Sequence, residues 1–207
     1  MSKKDNITLM QFFPVNAWSL KIKRTKKQKD ALMKEIKKIK EEQIGNNKSN
    51  YGGYHSPLFK YYDLIGTPFE FIYDHIVSVI NERIIPQTIS HIKNEYRQIT
   101  KENISALWFI INKEGDHNVI HTHPPGWLAG SYYVSVPKDS GSLVFHDCVP
   151  ERKHQFMTNV SASIEPQENH LYLFPAWFPH SVKENKSNKE RIVISFNIGR
   201  PDYIEKQ

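Results

Sequence analysis

After Thr100 the chain breaks into short β-rich runs, and that texture restricts the fold more than any other feature. The runs cover residues 105–112, 119–123, 131–136, 142–145, 161–164, 170–174 and 191–198. Turn-forming clusters divide them, among them Lys113-Glu114-Gly115-Asp116 and Lys138-Asp139-Ser140-Gly141. Many short strands at this spacing predict an antiparallel sandwich or barrel.

The first hundred residues read differently. Leu32, Ile36, Ile39 and Ile44 recur at helical steps within a lysine-rich stretch, which predicts an amphipathic helix over about residues 24–43. Residues 45–53 read as a loop by their turn chemistry. Residues 69–97 carry mixed helical periodicity interrupted by Pro86, with Pro57 and Pro68 punctuating the approach. The expected fold is mainly β with N-terminal helices, a jelly roll buttressed on one side. Residues 1–100 would supply a strand and the helices, and 101–207 the core, in a single compact domain.

Composition supports a well-filled core, with 39% hydrophobic and 12% aromatic residues among 207. The single cysteine, Cys148, excludes an intramolecular disulfide and fits a reducing compartment. It reads more simply as a loop thiol than as a nucleophile. The N-terminus lacks the apolar core of a signal peptide, and no apolar run nears the ~20 residues of a membrane span. A soluble cytoplasmic protein is the expectation. The net charge of +6 gathers between Lys21 and Lys40. A helix with its lysines in water is the plain account, and contact with nucleic acid or an acidic partner is the sharper one. No P-loop, dinucleotide fingerprint, zinc finger or Ser-His-Asp order is present.

Chemistry concentrates in four residues. His121 and His123 sit two apart in a β-rich run, and alternate residues of a strand share a face. His180 closes the apolar stretch 171–179, and Arg191 opens the last strong strand. Ten histidines make coincidence a real competitor; His55, His75, His91, His117, His146, His154 and His170 show no shared pattern. The pair plus a third imidazole would occupy one face of an octahedron and leave positions open, as in non-haem Fe(II) sites. Zinc fits three histidines equally well. A buried Arg191 would bind a carboxylate in a two-pronged ion pair. Taken alone, it would read as a strand-end arginine in solvent.

These residues lie in a chain that resembles the 2-oxoglutarate and Fe(II)-dependent oxygenases, specifically a subgroup frequent in marine bacteria and phages. The resemblance is carried by residues 115–124 (Gly-Asp-His-Asn-Val-Ile-His-Thr-His-Pro), 128–137, 140–147, 173–182 and 191–197, with Phe12-Phe13-Pro14 and residues 49–56 similar too. It implies a double-stranded β-helix (jelly roll, cupin-like) in which His121 and His180 ligate Fe(II) and Arg191 holds the distal carboxylate of 2-oxoglutarate. It also implies O2 as co-substrate, release of succinate and CO2, and hydroxylation of an unactivated C–H bond. The protein's share of such chemistry is placement and exclusion of water.

One departure stands out. The wider superfamily has His-x-Asp or His-x-Glu where this chain has His121-Thr122-His123. The third ligand is then His123, or Asp147, or a position filled by water or an anion. Asn112, Tyr133, Ser195 and Asn197 are candidates to hold 2-oxoglutarate, each with ordinary strand alternation as its plain reading. The wider family often has a serine two residues after the arginine, where this chain has Val193. Trp127 and Trp177 flank the proposed ligands as substrate-mouth or core aromatics. Two other functions compete: a three-histidine dioxygenase that uses no keto acid, and a non-catalytic jelly-roll binding module. The basic N-terminal third favours an anionic or macromolecular substrate, and a homodimer is compatible with the strand edges.

Overall fold

The computed structural model describes residues 15–88, 98–149, 151 and 161–200. Phe12-Phe13-Pro14, His91, His154 and the part of the helical stretch beyond Thr88 lie outside the described residues. Two antiparallel sheets form the body. Eleven strands are described: β1 (Trp18–Lys21), β2 (Asn50–Tyr51), β3 (Tyr54–His55), β4 (Ile104–Asn112), β5 (His117–His121), β6 (Leu128–Ser135), β7 (Leu143–His146), β8 (Ser161–Ile164), β9 (His170–Pro175), β10 (His180–Val182) and β11 (Arg191–Ile198). One sheet has six strands in the order β1-β9-β6-β11-β4-β3, the other five in the order β2-β5-β10-β7-β8. From β4 onward the chain passes repeatedly between the sheets, the wrapping of a jelly roll. The stretch 45–53, read as loop, contributes β2, and β3 follows it directly.

Alternation along β11 shows how the layers are built. Ile192, Ile194, Phe196 and Ile198 belong to a large core with Leu32, Ile36, Ile39, Ile72 and Ile76 of the helices, whereas Val193 belongs to a second core with Tyr133, Phe145 and Phe174. One face of the strand therefore packs on helices and the other faces the opposing sheet. With both faces covered, β6 is buried almost along its whole length, which is why its sequence carries no charged residue and does not alternate between apolar and polar.

Close packing leaves β6 little room at Gly130. A Cβ there would lie 2.7 Å from the Tyr172 carbonyl oxygen and collide with the Phe196 ring. Overpacking of this kind costs about 1–3 kcal/mol. Gly130→Ala should lower Tm by about 3–10 °C in a thermal melt, and an unchanged Tm would show that the sheet yields.

The basic helix, α1 (Lys26–Glu42), opens with a capping box in which the Thr25 hydroxyl accepts from the Gln28 N–H and the Gln28 side chain accepts from Thr25 N–H. It buries Leu32, Ile36 and Ile39; Ile44 lies beyond its end and is 93% exposed, so that residue is a correction to the helical stripe. Arg24 and Lys29 pair with Glu168, and Lys40 pairs with Glu190. These pairs fasten the helix to the loops before β9 and β11 and leave Lys26, Lys27, Lys34, Lys37 and Lys38 exposed. α2 (Glu70–Val79) runs through a π-helical turn at Ile80–Ile84 into α3 (Ile85–Thr88), which contains Pro86. A wider turn ahead of a proline suits the N–H that proline lacks. No helix among the described residues is long and apolar enough to cross a membrane.

Candidate metal centre

His121 and His180 are cross-strand partners at the ends of β5 and β10. Between this pairing and the next, Val182 with Asn118, β10 advances two residues and β5 three. That mismatch is a β-bulge, and it re-aims a side chain. Asn118 and His121 both border the cavity between the sheets, although strict alternation would send one of them outward. The extra residue is absorbed at Val119 and Ile120, which are 49% and 60% exposed. His123 reaches the site by another route than strand alternation, because β5 ends at His121. Its N–H bonds the Ala176 carbonyl (2.7 Å) and its carbonyl accepts from Gly126 (2.9 Å), so a tight turn holds it.

The three imidazoles converge. One nitrogen from each of His121, His123 and His180 lies within 4.8 Å of the others. Nδ1 of His121 is 2.7 Å from the Val119 carbonyl oxygen, and Nδ1 of His180 is 2.9 Å from that of Phe178. A carbonyl only accepts, so both Nδ1 atoms carry the proton and both Nε2 lone pairs are free for a metal. Nε2 of His123 stands 3.2 Å from Nε2 of His180, a spacing that calls for a cation or a proton between them.

Burial sets the protonation states. It pushes His180 down to about 3 and His123 down to about 4, with the nearby His121 adding to both, and it lowers His121 as well. All three are neutral near pH 7, the form that binds metal. The unfolded chain, by contrast, takes up protons at about 6.5. Below that value the unfolded state binds more protons than the native one, so stability is retained above pH 6.5 and lost as pH falls toward 4 and 3. Metal-free protein should therefore show a Tm that drops on acidification from pH 7 to 5, and a flat profile would contradict the buried neutral triad.

Arg191 borders the same cavity and is fully buried, at 1% exposure. Its Nη1 donates to the carbonyls of Ser140, Gly141 and Lys183. Gly141 makes this approach possible: it has φ +90°, and a Cβ there would lie 2.8 Å from Nη1. No ion pair among the described residues includes Arg191, and its Nε has no partner. A buried guanidinium in that state, acted on at longer range by the Asp116 carboxylate, would be stabilised by an anion at its free edge. The Asn112 amide nitrogen and the Trp108 indole nitrogen are likewise buried without partners, and both side chains border the cavity. Tyr133, pushed up to about 12 by burial, stays a neutral phenol there despite the opposing pull of Arg191.

Other candidates divide. Ser195 borders the cavity, while Asn197, on the same parity of β11, is not among its lining residues. Asp147 lies outside the triad, and its Oδ1 accepts from the Val149 N–H at 2.9 Å. Trp177 is 53% exposed whereas Trp127 packs on the helix-side core. Two residues escaped the sequence reading. His55 is one of the histidines that share no pattern in the sequence, and nothing in the sequence analysis singles out Trp108. Both are drawn in by the pairing of β3 with β4, which no local pattern announces.

Comparison with known proteins agrees with this geometry. Residues 106–197 match a family model described as "Putative 2OG-Fe(II) oxygenase". No curated protein matches the sequence. Among solved structures, a Pseudomonas putida prolyl-4-hydroxylase is similar at 12% identity and TM-score 0.60, covering 90% of this chain and 94% of its own. A prolyl hydroxylase from Trichoplax adhaerens, solved with a peptide fragment of hypoxia inducible factor, gives 14% and 0.60 over 89% and 83%. HygX from Streptomyces hygroscopicus, solved with nickel and 2-oxoglutarate, gives 7% and 0.58 over 90% and 83%. These structures share the jelly-roll fold, and the stretch of sequence that supplies the triad and Arg191 carries the family signature. Residues 106–197, which hold the triad and Arg191, are similar to the 2-oxoglutarate- and Fe(II)-dependent oxygenases.

Proposed function

We propose that this oxygenase hydroxylates an unactivated C–H bond, with Fe(II) held by His121, His123 and His180 and 2-oxoglutarate anchored by Arg191. The observation that carries the reading is one cavity bordered both by three neutral imidazoles and by a buried guanidinium that no carboxylate among the described residues pairs with. The donor set suits a first-row divalent ion, and iron suits the open positions that three ligands leave.

When bound, iron and 2-oxoglutarate together supply the oxidising power, consuming O2 and releasing succinate and CO2. The chain's own residues do the placing. Val119 and Phe178 carbonyls keep His121 and His180 in the metal-binding tautomer. Arg191 meets the distal carboxylate through its unpartnered edge, and Asn112 and Tyr133 add neutral donors beside it. Ser195, on the same strand face as Arg191, borders that group. A neutral third ligand in place of a carboxylate leaves the centre one charge more positive, which favours binding of an anionic co-substrate.

The test is anaerobic addition of Fe(II) and then 2-oxoglutarate to the whole chain, watching for the visible charge-transfer band of a chelated keto acid, followed by O2 and a succinate assay. Band and succinate together are expected. Metal binding without the band would turn the reading to a three-histidine dioxygenase that uses no keto acid, and absence of metal binding would remove the centre altogether. The lone thiol of Cys148 favours a reducing, cytoplasmic location; cell fractionation that found the protein in an oxidising compartment would overturn that part. The exposed lysines of α1 favour an anionic substrate or partner, and salt-insensitive substrate capture would argue against it.

A further inference from the structure

Two of the three imidazoles are tethered through Nδ1 to backbone carbonyls. His123 has no such tether among the described residues. Metal-ligating histidines nearly always have one, because it fixes the ring's orientation. What surrounds His123 instead is rings: Trp108 at 5.6 Å, His121 at 4.9 Å and His180 at 5.1 Å between centroids. The two histidines are fellow ligands, so Trp108 is the outside support.

Trp108 is itself braced. His55 stacks on it at 5.7 Å with planes 11° apart. His55 is buried and donates from Nδ1 to the Ser56 carbonyl at 2.7 Å. The pairing of β3 with β4, His55 opposite Ile110, locks the two rings to neighbouring strands. Trp108 bridges this anchored ring and the ligand. Its indole nitrogen, buried and unpartnered, is the second observation. A buried indole N–H ordinarily finds an acceptor, and this side chain borders the metal cavity.

We propose that Trp108, braced by His55, is the positioning residue for the third metal ligand: its ring fixes the His123 imidazole, and its indole N–H serves an acceptor atom of the anion bound beside the metal. The inference rests on the metal-centre reading above. It explains how an imidazole beyond a strand's end is oriented without an Nδ1 tether to a backbone carbonyl among the described residues. It also separates two duties of one side chain, ring contact and hydrogen-bond donation, which different substitutions remove.

The experiment uses the full chain, metal-free, titrated with Co(II) against a chromophoric chelator while its visible d–d spectrum is recorded. Trp108→Phe keeps a ring and should hold Co(II) within about twofold of wild type, with the same spectrum. Trp108→Leu should bind about tenfold more weakly, with a spectrum moved toward that of His123→Ala. In Co(II)-loaded protein, 2-oxoglutarate should bind Trp108→Phe about three- to tenfold more weakly than wild type, since one neutral donor is gone. Trp108→Leu with wild-type affinity and spectrum would overturn the positioning role, as would Trp108→Phe binding Co(II) as poorly as Trp108→Leu. Unchanged 2-oxoglutarate affinity in Trp108→Phe would overturn the donor role. If Trp108→Leu does not fold, His55→Ala replaces it, with weakened Co(II) binding expected and unchanged binding overturning the brace. Failure of the metal centre itself is distinguishable, because wild type and His180→Ala would then bind Co(II) equally poorly.

Discussion

His180→Ala should abolish Fe(II) binding at micromolar metal and, with it, succinate formation. Loss of an outer partner of a metal ligand already costs about 10–100-fold in affinity, so loss of a ligand should exceed a hundredfold. His180 is the most deeply placed of the three: it is buried, its Nδ1 is tied to Phe178, and Phe145 and Phe174 pack on its ring. No water can assume that fixed direction at similar strength. The same variant lacks one depressed titration, so its metal-free Tm should fall less steeply than wild type below pH 6.5. Calorimetric Fe(II) titration and a pH series of melts read the two effects separately. Retained Fe(II) affinity would sink the ligand assignment, even if activity were lost.

Arg191→Lys should raise the dissociation constant for 2-oxoglutarate by about tenfold to a hundredfold, the equivalent of one charge-assisted hydrogen bond. Lysine keeps the charge and loses the planar fork that matches a carboxylate. The Nη1 bonds to Ser140, Gly141 and Lys183 orient the guanidinium, and an ammonium cannot satisfy those carbonyls and a ligand together. Arg191→Ala is the harsher change, since it strands those carbonyls at about 1–3 kcal/mol each and should cost stability as well as binding. The measurement is 2-oxoglutarate titration of anaerobic, metal-loaded protein. Equal affinity in wild type and Arg191→Lys would mean that the buried cation serves the fold and not the ligand.

How much of this was legible in the sequence depends on the range of the interaction. β8 and β11 match the β-rich runs residue for residue, because composition and burial alone mark them. The strand carrying His121 was expected at 119–123 and lies at His117–His121. Alternation does not see a bulge, since a bulge is a relation to the partner strand. The histidines meet, yet not by the shared strand face that their spacing implied. β10 has three residues and β2 and β3 two each, too short for any periodicity. The Trp108–His55 contact joins residues far apart in the chain and had no local sign. Ile44 fits the helical stripe by spacing but falls past the helix end, where nothing remains to cover it.

β11 has a consequence for how such a chain can change. Residues 191, 193 and 195 border the cavity while 192, 194, 196 and 198 belong to the core under the helices. Reactivity and cohesion are thus written on interleaved positions of one ribbon. A substitution at an odd position can retune what the enzyme accepts without disturbing the hydrophobic layer behind it, and a repacking at an even position leaves the reactive side untouched. The strand lets selectivity drift while the architecture is conserved.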